Sequence, residues 1–298
     1  ILSSQNLQAF VGKDFSSMIE RFPIGEGNLT AVGLPAGLSI NNVTGEISGR
    51  PVQDGQYQVT VIVQNDEGKV TKAFGMSIFD PTIFSKQMEF NCSNYSGTST
   101  LEDFPLLIEM NGSVSGFNVR QFASGTGNDL RFFDPAGKEY PYEIETFDLA
   151  ANRLVAWVKI PFLDANTSFS AYWGNPSLAE FPPAYSINGE VWSSGYRGVW
   201  HMRPTSGTPI LTDSSSYRNH LVDNFGVSRA NGLAGSARQL FGQPDHYLTA
   251  PINDSLENLA LNKYSFSGWI WLDCTPEQRT NEAFYGLGYD TTPQPTYF

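Results

Sequence analysis

Along most of the chain apolar side chains return at every second position, the period of a half-buried β-strand. Tyr57, Val59, Val61 and Val63 fall on one face, with Gln58, Thr60 and Gln64 on the other. Asn65-Asp66-Glu67-Gly68 supplies turn chemistry, and Val70, Phe74, Met76 and Ile78 then return on a single face to complete a hairpin. Phe104, Leu106, Ile108 and Met110 alternate with Pro105, Leu107 and Glu109, which predicts a strand buried largely on both faces. Residues 130–133 run into Asp134-Pro135-Ala136-Gly137, the favoured composition of a type I turn, and the chain returns through Tyr140 to Glu145. Residues 154–160, 169–173 and 264–272 predict three further strands. The expected fold class is all-β.

Three stretches divide at changes in this pattern. The first, residues 1–80, contains Gly33-Leu34-Pro35-Ala36-Gly37-Leu38-Ser39-Ile40, then Thr44-Gly45-Glu46-Ile47-Ser48-Gly49-Arg50-Pro51, then Gly55-Gln56-Tyr57-Gln58-Val59-Thr60-Val61. Its glycines stand where tight turns need positive φ, and its prolines confine segments to edges or turns. These motifs resemble the cadherin-like immunoglobulin modules strung along bacterial surface proteins, which implies a spacer or adhesion sandwich. The second stretch, 81–184, carries Asp129-Leu130-Arg131-Phe132-Phe133-Asp134-Pro135-Ala136-Gly137 and, later, Ala171-Tyr172-Trp173-Gly174-Asn175-Pro176. It resembles a bacterial domain family without an assigned activity, often found ahead of concanavalin-like jelly rolls, so the resemblance implies architecture only.

Phe181-Pro182-Pro183 reads as a short stiff connector. The third stretch, 185–298, opens with Gly198-Val199-Trp200-His201-Met202 and continues through Asp213-Ser214-Ser215-Ser216-Tyr217-Arg218-Asn219-His220 and Ala237-Arg238-Gln239-Leu240-Phe241-Gly242; it resembles the first part of a laminin-G or concanavalin-like jelly roll. The family's rim loop usually reads D-S-S-G-N-G-N, whereas Ser216 and Arg218 replace its glycines here, and Gly242 stands where an Asp usually follows Phe. About 110 residues are too few for such a fold, so the expectation is an incomplete jelly roll with an open apolar sheet face. The whole is read as three tandem β-sandwich modules.

Composition narrows the setting. Acidic residues outnumber basic ones 30 to 18, a net charge of -12, which argues against nucleic acid as a partner. Charged residues are only 16% of the chain, against about 25% in an average soluble domain. Aromatics reach 13%, and no apolar run is long enough to insert in a bilayer. Two cysteines, Cys92 and Cys274, exclude a disulfide scaffold and a cysteine-based zinc ribbon. Asn-x-Ser/Thr sequons begin at Asn28, Asn42, Asn91, Asn94, Asn111, Asn166 and Asn253, which fits a secreted chain and equally fits Asn- and Ser-rich loops. The chain starts at Ile1 and ends on Thr296-Tyr297-Phe298, so it reads as an excised piece of a longer protein.

Candidate chemistry is sparse. No P-loop, nucleophile elbow, zinc-protease helix or dinucleotide fingerprint is present. His201, His220 and His246 all lie in the third stretch and read as one strand residue and two turn residues. Glu143 and Glu145 share a strand face, as a glycosidase pair would, but they read as the solvated side of an amphipathic strand. Asp213, Asn219, Asp245 and Asp254 are loop oxygen donors, which leaves calcium an open candidate and no other cofactor. Trp157, between Ala156 and Val158, reads as core. Trp269 and Trp271 share one face, and Trp271 is the best single candidate for a sugar platform, the alternative being packing against a neighbouring sheet.

The candidate binding residues are therefore Trp271, Asp213, Asn219, Asp245 and His246, with no catalytic residue and the metal site unknown. The expected role is non-catalytic: a segment of a large bacterial cell-surface or secreted protein that adheres to an extracellular glycan or a neighbouring surface protein. A structural spacer or building block of an extracellular assembly is the first alternative. A targeting appendage of a polysaccharide-degrading enzyme is the second.

Overall fold

The computed structural model describes residues 6–19, 27–66, 68–192, 195–204, 209–224, 228–239, 247–251, 253–257 and 264–271. The chain is all-β, and the one α-helix among the described residues is α1, Asp254–Glu257. It divides into two compact units, Ile1–Ser186 and Ile187–Phe298.

The first unit opens with an immunoglobulin-type sandwich. Its strands are β1 (Leu7–Phe10), β2 (Phe15–Met18), β3 (Asn28–Val32), β4 (Leu38–Ile40), β5 (Glu46–Gly49), β6 (Gly55–Asn65) and β7 (Gly68–Phe79). One sheet has the order β1-β7-β6-β3, with β1 parallel to β7, and the other β2-β5-β4. The predicted hairpin is β6–β7, paired from Gly55–Ile78 to Asn65–Gly68. Its inward positions Val59, Val61, Phe74, Met76 and Ile78 meet Ile47 from the facing sheet, and all six are buried. Gly37 and Gly49 are required by close approach as well as by φ: a Cβ on Gly37 would stand 1.9 Å from the Arg50 carbonyl oxygen.

A single 3₁₀ turn, Pro81–Ile83, joins this sandwich to the next, and the Asp80 carboxylate caps it by accepting from the Thr82 N–H at 2.9 Å. The second sandwich has β8 (Lys86–Asn91), β9 (Leu101–Asn111), β10 (Arg131–Phe133), β11 (Glu139–Tyr140), β12 (Tyr142–Asp148), β13 (Arg153–Leu163) and β14 (Ser168–Trp173). The sheets run β11-β10-β14-β8 and β12-β13-β9. Between them lie Met110, Leu130, Phe132, Tyr142, Leu154, Ile160, Phe169 and Trp173, all buried. Asp129 pins the loops at one end. Its carboxylate, fully buried, accepts from the backbone N–H groups of Ala123, Ser124, Gly174 and Asn175 at 2.7–3.2 Å.

Three expectations need correction in this sandwich. Strand β9 is an edge strand with one open face: Leu107 and Glu109 are exposed, and only Pro105 is buried on that side. Trp157 is not core. Because Ala156 and Val158 point inward, alternation sends Trp157 to the opposite face, where it is half-buried and donates Nε1–H to Glu145 at 3.2 Å. Glu145 in turn is not solvated but 3% exposed, because a bulge between Ile144 and Thr146 takes it out of the regular register.

The two sandwiches of this unit share a third apolar cluster. Phe10 and Phe79 from the first meet Phe84, Phe133, Tyr172 and Leu178 from the second. Ring centroids lie 5.0 Å apart for Phe10–Phe133, 5.2 Å for Phe79–Phe133 and 5.6 Å for Phe133–Tyr172. The backbone joins in: Phe10 N–H donates to the Ala136 carbonyl at 3.3 Å, and Glu139 N–H donates to Gln8 Oε1 at 2.9 Å. Adjoining domains move freely unless their contact is large and hydrophobic. Here it is aromatic and hydrogen-bonded, and the connection is one turn long.

The second unit contains β15 (Trp200–Pro204), β16 (Ile210–Asp213), β17 (Leu221–Asn224), β18 (Ser228–Asn231), β19 (Ser236–Gln239) and β20 (Tyr247–Thr249). They form a sheet β15-β16-β17-β20 and a ribbon β18-β19. Its buried apolar side chains, among the described residues, are Val191, Trp192, Leu211 and Leu221. The strand expected over 264–272 is not found: residues 264–271 carry no strand, and all are exposed. Alternation supplies a face but no hydrogen-bonding neighbour, and no described strand pairs with this segment.

Candidate functional site

The sequence-predicted candidates divide by environment. Asp213, at the end of β16, is fully buried. Its Oδ1 accepts from the N–H groups of Val199 and Ser215 at 2.7 and 2.8 Å, and its Oδ2 from the Asn219 N–H and the Ser215 hydroxyl at 2.7 and 2.8 Å. Both carboxylate oxygens are thus spent on donors of the loop after β16 and of Val199, just before β15. Asn219, equally buried, donates to the Arg197 carbonyl at 2.6 Å and accepts from Asn253 at 2.7 Å. These two residues organise the loop from within. Asp245 and His246 lie outside the described residues.

The histidines have separate partners. His201 in β15 lies with its ring 5.6 Å from Trp192, and His220 accepts from the Asp213 N–H through Nδ1 at 3.0 Å. Among the described residues no group of three His, Cys, Asp or Glu side chains is placed to hold a metal ion.

Trp269 and Trp271 stand apart from all of these. They are 87% and 92% exposed, with Phe266 and Ile270 about half exposed beside them in sequence. Two indoles two positions apart therefore present most of their apolar surface to solvent.

The first unit contains a site that the motif reading missed. A cleft of about 390 Å³ opens between its two sandwiches, beside the shared aromatic cluster. Its polar lining is Gln8, Gln56 and Ser77 from the first sandwich and Arg131, Glu139 and Tyr185 from the second. Arg131 and Glu139 form an ion pair, Nε to Oε1 at 3.3 Å, with side chains only 11% and 13% exposed. The Tyr185 hydroxyl donates to the same Oε1. Burial pushes the Glu139 carboxyl above the usual carboxylate range, against the opposing pull of Tyr185 and Arg131. Burial likewise raises the Tyr185 hydroxyl well above its usual value, helped by the neighbouring Glu139 charge. The carboxylate of the cleft lining is that of Glu139.

A sequence signal for this site exists. Arg131 interrupts the apolar run Leu130-Arg131-Phe132-Phe133, and a charge inside a buried strand requires a partner.

Two segments match known families. Residues 11–79 match the family described as "Putative Ig domain", and residues 126–184 match "Domain of unknown function (DUF2341)". Among curated proteins nothing matches. Among solved structures, the chain is similar to a "putative alpha-galactosidase" from Bacteroides fragilis NCTC 9343. The identity is 27% over 26% of this chain and 16% of that one, with a TM-score of 0.25. An endo-fucoidan hydrolase of glycoside hydrolase family 107 is 14% identical over 57% of this chain and 27% of that one, TM-score 0.24. The I67–I69 I-band fragment of titin is 10% identical over 55% and 60%, TM-score 0.22. The chain spans less than two thirds of the length of each of these structures.

Proposed function

We propose that the chain is a non-catalytic segment of a bacterial cell-surface or secreted protein that adheres to carbohydrate through Trp269 and Trp271. The observation that carries this reading is the near-complete exposure of the two indoles. A pyranose presents an apolar C–H face, and an exposed indole is the side chain that stacks on it best while polar neighbours take the hydroxyls. The immunoglobulin-type family match over residues 11–79 supports an extracellular setting. No helix among the described residues is long and apolar enough to cross a membrane.

The test is a glycan microarray probed with the full chain and with Trp269→Ala and Trp271→Ala. Binding to a subset of glycans that falls at least about fivefold in each variant supports adhesion, since stacking contributes on the order of 1 kcal/mol or more per ring. Binding that survives loss of both indoles, or no binding at all, contradicts it.

A second reading, a structural building block of an extracellular assembly, is favoured by the aromatic cluster that joins the first two sandwiches. On that reading the array stays blank, and the chain self-associates through interfaces well above about 1,600 Å².

A further inference from the structure

The cleft of the first unit holds polar groups that the fold does not use up. Gln8 spends its carbonyl oxygen on the Glu139 N–H at 2.9 Å, and Gln56 spends its own on the Ser77 hydroxyl at 2.7 Å. Each therefore keeps an amide N–H₂ group as a donor at the cleft wall. Glu139 engages Arg131 and Tyr185 through Oε1, which leaves Oε2 as an acceptor. The rest of the lining is apolar and includes Phe79, Ile83 and Phe84. Ile83 is half exposed at the mouth.

The charge inside the cleft is already balanced. Arg131 gives Nε to Glu139 and Nη1 to the Asn128 and Leu130 carbonyls at 2.7 and 2.6 Å. The pairing leaves the cleft with no net charge to attract an ion, and a cation would have to compete with Arg131 for Glu139. What remains is a set of two amide donors, one carboxylate acceptor and apolar lining side chains. That set matches a neutral polyol with one C–H face.

Volume points the same way. Small-molecule sites run from about 300 to 1,000 Å³, so 390 Å³ suits one ring and not an extended chain. The walls are also preformed: Phe79, Phe84 and Phe133 belong to the buried cluster that fixes the two sandwiches together.

We propose that this cleft binds a single neutral pyranose, its hydroxyls held by Gln8, Gln56 and Glu139 and its C–H face laid on Ile83 and Phe84. The inference rests on the adhesive reading only in taking a glycan as the source of that sugar. It places a second site in a different unit from Trp269 and Trp271, so the two are tested apart.

Saturation-transfer NMR on the full chain, with the methyl glycosides of glucose, galactose, mannose, glucuronic acid and glucosamine, tests the assignment. At least one neutral glycoside is expected to show transfer at millimolar concentration. Gln56→Leu and Ile83→Ser, both at exposed positions and both checked for an unchanged melting temperature, are each expected to weaken it at least tenfold. The Trp269→Ala/Trp271→Ala double variant is expected to leave it unchanged. Transfer confined to the glucuronide or glucosaminide, no transfer from any neutral glycoside, transfer that persists in both cleft variants, or transfer abolished by the tryptophan changes would each overturn the proposal.

Discussion

The rings of Phe10 and Phe133 lie 5.0 Å apart at 56°, although one belongs to strand β1 of the first sandwich and the other to β10 of the second. Both are buried, at 3% and 1% exposure. Aromatic pairs at such distances contribute about 0.5–1.5 kcal/mol beyond the area they bury. Three such rings surround Phe133, counting Phe79 and Tyr172. The contact is therefore closer in character to a domain core than to the polar interface usual between tandem domains.

The Asp134–Gly137 turn forms part of this contact, which gives Gly137 two duties. Its φ is +93°, and a Cβ there would stand 2.5 Å from the Phe10 nitrogen. Gly116 makes an internal control, with φ +81° and open space around it. Both Gly→Ala changes incur the left-handed strain of about 1–2 kcal/mol. Gly137→Ala must also push the sandwiches apart, so its melting temperature is expected to fall several degrees further than that of Gly116→Ala. Equal losses would show that the close approach is not tight.

Stability should respond to pH through two carboxylates with opposite signs. Glu139 is held above the usual range by burial, and Arg131, Tyr185 and Tyr142 face it. The folded state then keeps the proton more tightly than the unfolded chain. Its contribution is fully present below the unfolded value of about 4.3 and is lost as pH rises through the raised folded value. Glu109 is held below the usual range, chiefly by its hydrogen bond from Arg153 at 2.9 Å. Its contribution is present above that range and is lost as pH falls. Thermal unfolding from about pH 3 to pH 7 checks both. The melting temperature of wild type relative to Glu139→Gln is expected to drop on the alkaline side of this window. Relative to Glu109→Gln it is expected to drop on the acid side, by a smaller amount because that pair is partly exposed. Parallel pH profiles for wild type and both variants would contradict the assignment.

In the second unit, Asp213→Ala removes an acceptor that serves four donors at once. Each buried donor left unpaired costs about 1–3 kcal/mol. The expected result is loss of amide-exchange protection across β16 and β17, with the protection of the first unit unchanged. Protection that stays intact would show that the loop is held by other contacts.

Much of the fold is legible in the sequence because two-residue periodicity fixes which side chains face inward. The β6–β7 hairpin and the Asp134–Gly137 turn follow directly from it. The same rule, applied strictly, would have placed Trp157 outward, since its neighbours Ala156 and Val158 both face the core. Glu145 escaped because a bulge is a departure from the period. The 264–271 segment shows the converse: alternation marks a face, but a strand also needs a partner edge. The cleft and the Phe10–Phe133 contact were not legible, because they depend on which ends of two sandwiches meet. Arg131 within its apolar run was the one local sign of them.

The most direct test of the account is native-state hydrogen exchange on the full chain, read in β6 and β7 of the first sandwich and β13 and β14 of the second. If the aromatic cluster makes them one body, the most protected amides of both sandwiches open with the same free energy in the wild type. In Phe10→Ala the two sets separate by about 2 kcal/mol or more, as expected for losing a buried aromatic side chain. Two distinct opening energies in the wild type, or a single shared one that survives Phe10→Ala, would contradict it.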